Sequence, residues 1–190
     1  MREHGGHPNI VEFKDSYQDP ELLHIVMEYC PGGELLDQCT RPGRRLPIQE
    51  VIIKFRQVVS AVQTVHELGY AHRDLSLENI LLAENGDCKI IDFGLAVPID
   101  GVYTKGAGKH GYMAPEIFQL PYFATYVDHW SLGVILFAML TGRFPFSKGA
   151  QQGTTDFEYF CNHTLEKYVV YKRIPVKIPK KALHLLKKLL

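Results

Sequence analysis

The sequence has no excess of charge of either sign, because 21 lysine and arginine residues are matched by 21 aspartate and glutamate residues. The formal net charge at pH 7 is therefore +0 with neutral histidines. Proteins that bind nucleic acid through its phosphates usually carry a basic excess. We therefore expect no nucleic-acid partner.

Long hydrophobic runs are also missing. The longest uncharged, mainly apolar run covers residues 130–140, whereas a helix that spans a bilayer needs about 20 apolar residues. The first eight residues, MREHGGHP, contain no apolar segment of the kind found in a signal peptide. These two absences predict a protein with no membrane partner and no secretory signal.

Cysteines are few, and no two of them have CxxC spacing; they are Cys30, Cys39, Cys88 and Cys161. Cysteines without paired spacing indicate reduced thiols, as in cytoplasmic proteins, with the nucleus as the alternative location. The nine histidines include no HExxH motif, which disfavours a histidine metal site.

The composition that remains is typical of a globular domain. Hydrophobic residues make up 46% of the 190 residues and charged residues 22%. A chain of this length and balance buries enough apolar surface to form a core. We therefore expect one folded domain.

Apolar periodicity predicts a mainly α fold with short β-strands. After Pro47, apolar residues recur at helical spacing for about 20 residues until Gly69 ends the pattern. The apolar positions are Ile48, Val51, Ile52, Phe55, Val58, Val59, Val62 and Val65. Asn85-Gly86 lies between two apolar runs and predicts a β-hairpin. We also expect a buried strand at 22–29, a short helix at 34–39, loops at 40–46 and 97–112, a buried helix at 126–140 and a helix at 180–190.

Several short motifs follow one another in a fixed order. They are HPNIV at 7–11, MEYCPGGEL at 27–35, HRDL at 72–75 followed by Asn79, DFG at 92–94, APE at 114–116 and DHWSLG at 128–133. In this order they resemble the eukaryotic protein kinases. The resemblance covers residues 7–190 and is greatest to serine/threonine kinases like protein kinase A and the calcium/calmodulin-dependent kinases.

The resemblance implies a partial protein kinase domain over residues 1–190. Residues 1–30 correspond to the end of the small lobe and the hinge strand, and residues 31–190 to a large lobe truncated at its C-terminus. In the family, the Gly-rich loop and the lysine that grips the nucleotide phosphates would precede residue 1. We therefore expect a fragment that lacks most of the small lobe and is inactive by itself.

The resemblance also assigns catalytic and metal-binding roles. Asp74 would accept the proton of the substrate hydroxyl, and the oxygens of Asn79 and Asp92 would hold Mg²⁺. Asp128 would hold the catalytic-loop backbone by hydrogen bonds. For any single aspartate the alternative is an ordinary cap or turn residue.

For ATP, the resemblance places Met27 at the gatekeeper position, followed by the hinge. Backbone groups of Glu28 and Cys30 would meet the adenine edge, and Leu81 would pack beneath the ring. Ordinary core packing explains Met27 and Leu81 equally well.

Two residues depart from the family pattern. Ser76 stands where serine/threonine kinases usually have a lysine that faces the phosphate, and Lys109 stands where they usually have a threonine. We predict that Ser76 and Lys109 belong to the catalytic site, with Lys109 supplying the charge that Ser76 lacks. The alternative is that Lys109 points to solvent and the enzyme is weak or inactive. GAGKHG at 106–111 matches GxGxxG but follows DFG, so we expect no phosphate binding by that match.

The resulting hypothesis is a serine/threonine protein kinase that transfers the γ-phosphate of ATP, with Mg²⁺, to a protein hydroxyl. Glu34 and Glu78 correspond to positions where kinases that prefer basic substrates have acidic contacts, so we expect a basic residue upstream of the target hydroxyl. The alternative for both is an ordinary solvated charge. The alternative function is a pseudokinase or scaffold that binds partners without phosphoryl transfer.

Overall fold

The structure of the chain is a computed structural model that describes residues 6–41, 45–175 and 177–190. The helices are α1 (Leu35–Thr40), α2 (Ile48–Glu67), a 3-10 helix (Pro115–Phe118), α3 (Val127–Thr141), α4 (Thr155–Asn162), α5 (Leu165–Tyr171) and α6 (Lys180–Leu189). The strands are β1 (Phe13–Gln18), β2 (Leu23–Met27), β3 (Tyr70–Ala71), β4 (Ile80–Leu82), β5 (Cys88–Ile90), β6 (Val97–Pro98), β7 (Val102–Tyr103) and β8 (Tyr122–Phe123). The predicted mainly α class with short strands is confirmed. The expected signal-free start and part of the 40–46 loop lie outside the described residues.

Helix α3 is the centre of the core. Each of its residues except His129 is buried, as its nearly continuous apolar sequence predicts. The helix ends at Gly142, whose φ of 70° suits a left-handed C-terminal cap. Helix α6 packs so closely on it that a Cβ at Gly133 would lie 2.7 Å from Leu190.

Helix α2 has the predicted length, and Gly69 follows its end with a φ of 83°. Its buried face contains Phe55, Val58 and Val62. The predicted apolar face is too wide, because Ile52 and Val59 are 46% and 36% exposed. No described element covers that side of the helix fully, so these two side chains border an open groove.

The Asn85-Gly86 hairpin is confirmed. Strands β4 and β5 pair antiparallel, with Ile80 opposite Ile90. At the open end of the hairpin, the N–H of Ile91 donates to the carbonyl oxygen of Asn79 at 3.0 Å. This pairing places Asn79 beside the residue that precedes Asp92.

The predicted strand at 22–29 forms as β2, but it is not buried. Strand β2 pairs only with β1, in a two-stranded sheet. Leu23, Ile25 and Met27 are 64%, 57% and 46% exposed, because no described element packs on this hairpin. The expectation that Met27 is an ordinary core residue is therefore wrong for this chain.

The expected loop at 97–112 contains two short strands. Strand β6 pairs with β3, and β7 pairs with β8. These pairings join the segment after DFG to the strand that precedes HRDL and to the strand that follows the 3-10 helix. Within the described ranges, no helix combines the length and the apolar character needed to cross a membrane.

Candidate active site

Residues 72–79, the predicted catalytic loop, are held against helix α3 by Asp128, which is fully buried. Its Oδ2 accepts the backbone N–H of His72 and its Oδ1 accepts that of Arg73, both at 2.8 Å. Arg73 has a φ of 63°, which is uncommon for a residue with a side chain. Asp128 therefore holds a strained backbone next to Asp74. The expected role of Asp128 as a backbone anchor is confirmed.

Both carboxylate oxygens of Asp74 are fixed by hydrogen bonds. Oδ1 accepts the backbone N–H of Lys109 at 2.9 Å, and Oδ2 accepts Nδ2 of Asn79 at 2.9 Å. The same Nδ2 also donates to the carbonyl oxygen of Asp74 at 2.8 Å. Three hydrogen bonds from two donor groups therefore fix the orientation of Asp74.

The side chain of Lys109 points into this site. Its Nζ donates to Oγ of Ser76 and to Oδ1 of Asn79, each at 3.0 Å. Ser76 is fully buried, and its Oγ also accepts the N–H of Asn79 at 3.2 Å. The alternative orientation of Lys109 toward solvent is therefore wrong.

Asp92 begins the DFG motif with a φ of 61°. Its Oδ1 accepts the N–H of Gly94 at 3.1 Å. The ring of Phe93 lies against the ring of His72 with centroids 4.8 Å apart, and Nε2 of His72 lies 3.0 Å from the carbonyl oxygen of Ile91. The DFG segment and the catalytic loop are thus joined on the side facing the core.

The donor set at Asn79 and Asp92 fits Mg²⁺, because a carboxylate and an amide oxygen are hard ligands. In the part of the chain that the structure describes, no group of three or more histidine, cysteine, aspartate or glutamate side chains is arranged to hold a metal. Mg²⁺ commonly binds through one or two carboxylates together with phosphate oxygens and water. Asn79 and Asp92 would be such a pair of protein ligands if phosphate oxygens bound beside them.

Residues 28–32, which include the predicted hinge, run close to strand β4. The N–H of Gly32 donates to the carbonyl oxygen of Leu82 at 2.9 Å, and a Cβ at Gly32 would lie 2.6 Å from Cβ of Leu82. Leu81 is half-buried next to this crossing. Cys30 is buried, and its N–H donates to no described residue. This free donor fits an acceptor at an adenine edge.

Glu28 uses its side chain within the protein. Its Oε2 accepts Nζ of Lys89 at 2.8 Å and the N–H of Glu12 at 3.2 Å. The hydrogen bond from Lys89 holds the pKa of Glu28 below its ordinary value of 4.5. The carboxylate thus ties the hinge to β5.

Two residues that the sequence patterns did not indicate connect the segment before APE to the loop that contains HRDL. The hydroxyl of Tyr112 donates to Oε2 of Glu78 at 2.6 Å and accepts the N–H of Leu77 at 3.1 Å. Burial, with the bond to Glu78, raises the pKa of Tyr112. The only sequence signal was an aromatic residue just before APE. Of the two predicted acidic contacts, Glu34 is exposed and Glu78 is half-buried.

Gly108 is the second missed residue. Its φ is 103°, and a Cβ there would lie 2.5 Å from the carbonyl oxygen of Arg73. Of the three glycines in the GxGxxG match at 106–111, only Gly108 lies at such a close approach, since a Cβ at Gly106 would have its nearest neighbour at 3.5 Å and one at Gly111 would meet nothing within 4 Å. On the same side, the guanidinium of Arg73 donates to the carbonyl of Leu95 and to the hydroxyl of Tyr122, both at 3.0 Å.

Comparison with known proteins identifies the relatives of the chain. The protein kinase domain family matches residues 1–190. Calcium-dependent protein kinase 27 of Arabidopsis thaliana is 44% identical over 156 residues, which is 78% of this chain and 32% of that protein. Calcium/calmodulin-dependent serine/threonine-protein kinase 1 of Oryza sativa subsp. japonica is 40% identical over 153 residues, 78% of this chain and 25% of that protein. The chain thus spans a third or less of the length of these relatives.

Proposed function

Because the chain belongs to the protein kinase family, we propose that the protein transfers the γ-phosphate of ATP to serine and threonine hydroxyls of protein substrates. The observation that carries the proposal is the fixed carboxylate of Asp74. Its two oxygens are bound by Lys109 and Asn79, and Asn79 adjoins the DFG segment. Phosphoryl transfer depends on positioning and charge neutralisation, which this arrangement supplies.

In the proposed reaction, the substrate hydroxyl approaches Asp74. The hydroxyl oxygen forms a bond to the γ-phosphorus while the bond from that phosphorus to the β,γ-bridging oxygen breaks. The electron pair of the broken bond leaves with ADP, and the hydroxyl proton goes to the carboxylate of Asp74. The hydrogen bonds from Lys109 and Asn79 keep that carboxylate in one orientation throughout.

Asn79 and Asp92 are the proposed Mg²⁺ ligands. When bound, Mg²⁺ neutralises phosphate charge. Asn79 would contribute Oδ1, which also accepts Nζ of Lys109, since its Nδ2 is committed to Asp74. Asp92 would contribute a carboxylate whose Oδ1 is oriented by Gly94.

The adenine site is proposed at the hinge. The free N–H of Cys30 and the backbone of Glu28 would meet the adenine edge, Met27 would stand at the back, and Leu81 would pack beneath the ring. The closeness of the hinge to β4 at Gly32 supports this placement. This adenine site belongs to the same proposal, in which residues 1–30 form the end of the small lobe and the hinge, and residues 31–190 form the truncated large lobe.

We propose a substrate with a basic residue upstream of its hydroxyl. Glu34 is exposed and available to a guanidinium. Glu78 presents a carboxylate that Tyr112 already orients through one oxygen. A cytoplasmic or nuclear location is proposed from the cysteines, which are all free. Burial raises the pKa of Cys39 to about 12 and that of Cys88 to about 11, so these thiols are unreactive.

The test is a radiolabelled phosphate assay on the longest reading frame that contains the 190 residues, with an arginine-containing peptide library. We expect transfer to serine and threonine, enrichment of arginine upstream, and loss of at least about 10³-fold in rate for Asp74→Asn. Glu84→Gln, at an exposed position in the turn of the β4–β5 hairpin, is the control. Nucleotide binding without transfer by the unmodified protein would instead support the pseudokinase alternative, which Ser76 favours.

A further inference from the structure

The ammonium of Lys109 is hydrogen-bonded but, among the described residues, forms no ion pair with a carboxylate. Its two hydrogen-bond acceptors are the neutral oxygens of Ser76 and Asn79. A lysine ammonium has three N–H donors, of which these bonds use two. One donor and the full positive charge remain at a half-buried position beside Asp74.

The remaining donor and the positive charge are available to an anion that enters the site. The anion must reach an ammonium that touches a proposed metal ligand, Asn79, and whose backbone N–H binds the proposed base, Asp74. In the proposed reaction, the group that lies between base and metal is the phosphoryl group in transfer. Its charge is spread over oxygens that accept hydrogen bonds.

We propose that Lys109 is a catalytic residue whose ammonium binds and neutralises the phosphoryl group during transfer, with Ser76 as its fixed anchor. The proposal rests on the proposed kinase function. Ser76 is small enough to leave room for the lysine stem, and its buried Oγ sets the position of Nζ. The charge thus comes from residue 109, and position 76 supplies only a hydrogen-bond acceptor.

The first test is steady-state kinetics on the longest reading frame. Lys109→Thr and Lys109→Met are each expected to lower kcat by about 10²-fold, with the KM for the peptide changed by less than about threefold. Lys105→Met is the matched control, because Lys105 is an exposed lysine of the same segment. It is expected to leave kcat unchanged.

The second test exchanges the charge between the two positions. Ser76→Lys alone is expected to lower kcat, because two ammonium groups would compete for one place. Combined with Lys109→Thr, the same substitution is expected to restore kcat to within about tenfold of the unmodified enzyme. An active enzyme in which both Lys109 variants stay within about threefold of wild type, or in which the double variant is no better than Lys109→Thr, overturns the proposal and leaves the kinase function standing.

The third test does not depend on turnover. Calorimetry with MgATP and MgADP is expected to show that Lys109→Met weakens ATP binding by about tenfold or more and ADP binding by less than about twofold. If the unmodified protein binds nucleotide without transferring phosphate, the kinase function fails. The difference between the effects of Lys109→Met on ATP binding and on ADP binding still decides the role of Lys109. Equal effects on both nucleotides, no effect on either, or no nucleotide binding by the unmodified protein overturn the proposal.

Discussion

The hydroxyl oxygen of Tyr112 lies 2.6 Å from Oε2 of Glu78, so the segment before APE is bound directly to the catalytic loop. The carbonyl of Tyr112 in turn accepts Oγ of Ser131 on the core helix at 3.0 Å. One residue thus connects the core helix α3, the segment between DFG and APE (residues 95–113, called the activation segment below) and the catalytic loop. Its removal tests how much the site depends on that connection.

Tyr112→Phe is expected to lower the free energy of unfolding by about 1–3 kcal/mol. The change leaves the N–H of Leu77 without its acceptor in a buried position, and an unsatisfied buried group costs about that much. Urea unfolding of the 190-residue chain measures the loss. Tyr126→Phe, at an exposed tyrosine, is the control and is expected to change little. Equal stability of Tyr112→Phe and wild type would show that the loop repacks.

Gly108→Ala is expected to destabilise the chain by about 1–3 kcal/mol, because a side chain is strained at a φ of 103° and its Cβ meets the carbonyl of Arg73. Gly111→Ala is the matched control, since a Cβ there would meet nothing within 4 Å. Thermal unfolding of the two variants gives the comparison. A control variant that is as unstable as Gly108→Ala would contradict the argument from close approach.

Lys89→Met is expected to lower stability near neutral pH by at most about 1 kcal/mol, as for other partly exposed ion pairs. Because Lys89 lowers the pKa of Glu28 in the folded state, the stabilisation is complete above the unfolded value of 4.5 and is lost as pH falls below it. Denaturation from pH 7 to pH 3 is the measurement. The difference in the free energy of unfolding between wild type and variant should shrink towards pH 3. A difference that stays constant from pH 7 to pH 3 would mean that Lys89 acts by packing alone.

The 190-residue chain by itself is expected to show no transfer activity and to self-associate. Leu23 and Ile25 share one exposed face of a two-stranded sheet with open edges, which favours pairing with other chains. Ile25→Lys is expected to raise the monomer fraction in size-exclusion chromatography. Val170→Lys, at an exposed valine on α5, is the control. Turnover within tenfold of that of an intact related kinase would refute the expected inactivity.

Sequence patterns predicted the elements whose structure depends on neighbouring residues in the chain. The Asn85-Gly86 turn and the apolar helix before Gly142 formed as expected, because turn chemistry and continuous apolar character act locally. The burial of β2 was predicted wrongly, because alternation and apolar content reveal a strand but not whether another layer covers it.

The candidate site was predictable only where a motif marks it. Asp74, Asn79 and Asp92 lie in HRDL…N and DFG, and their residue types suggest their chemistry. Tyr112 and Gly108 act through contacts with residues about 35 positions away in the chain, which no local pattern encodes. The placement of Lys109 beside Ser76 was deducible only because both depart from a known pattern.

Lys109 holds Asp74 through its backbone N–H and reaches Asn79 through its ammonium, so one residue of the activation segment serves both partners. A displacement of that segment breaks both contacts together. The proposed orientation of the base and the proposed supply of positive charge would therefore be lost in one step, because both depend on the position of a single residue.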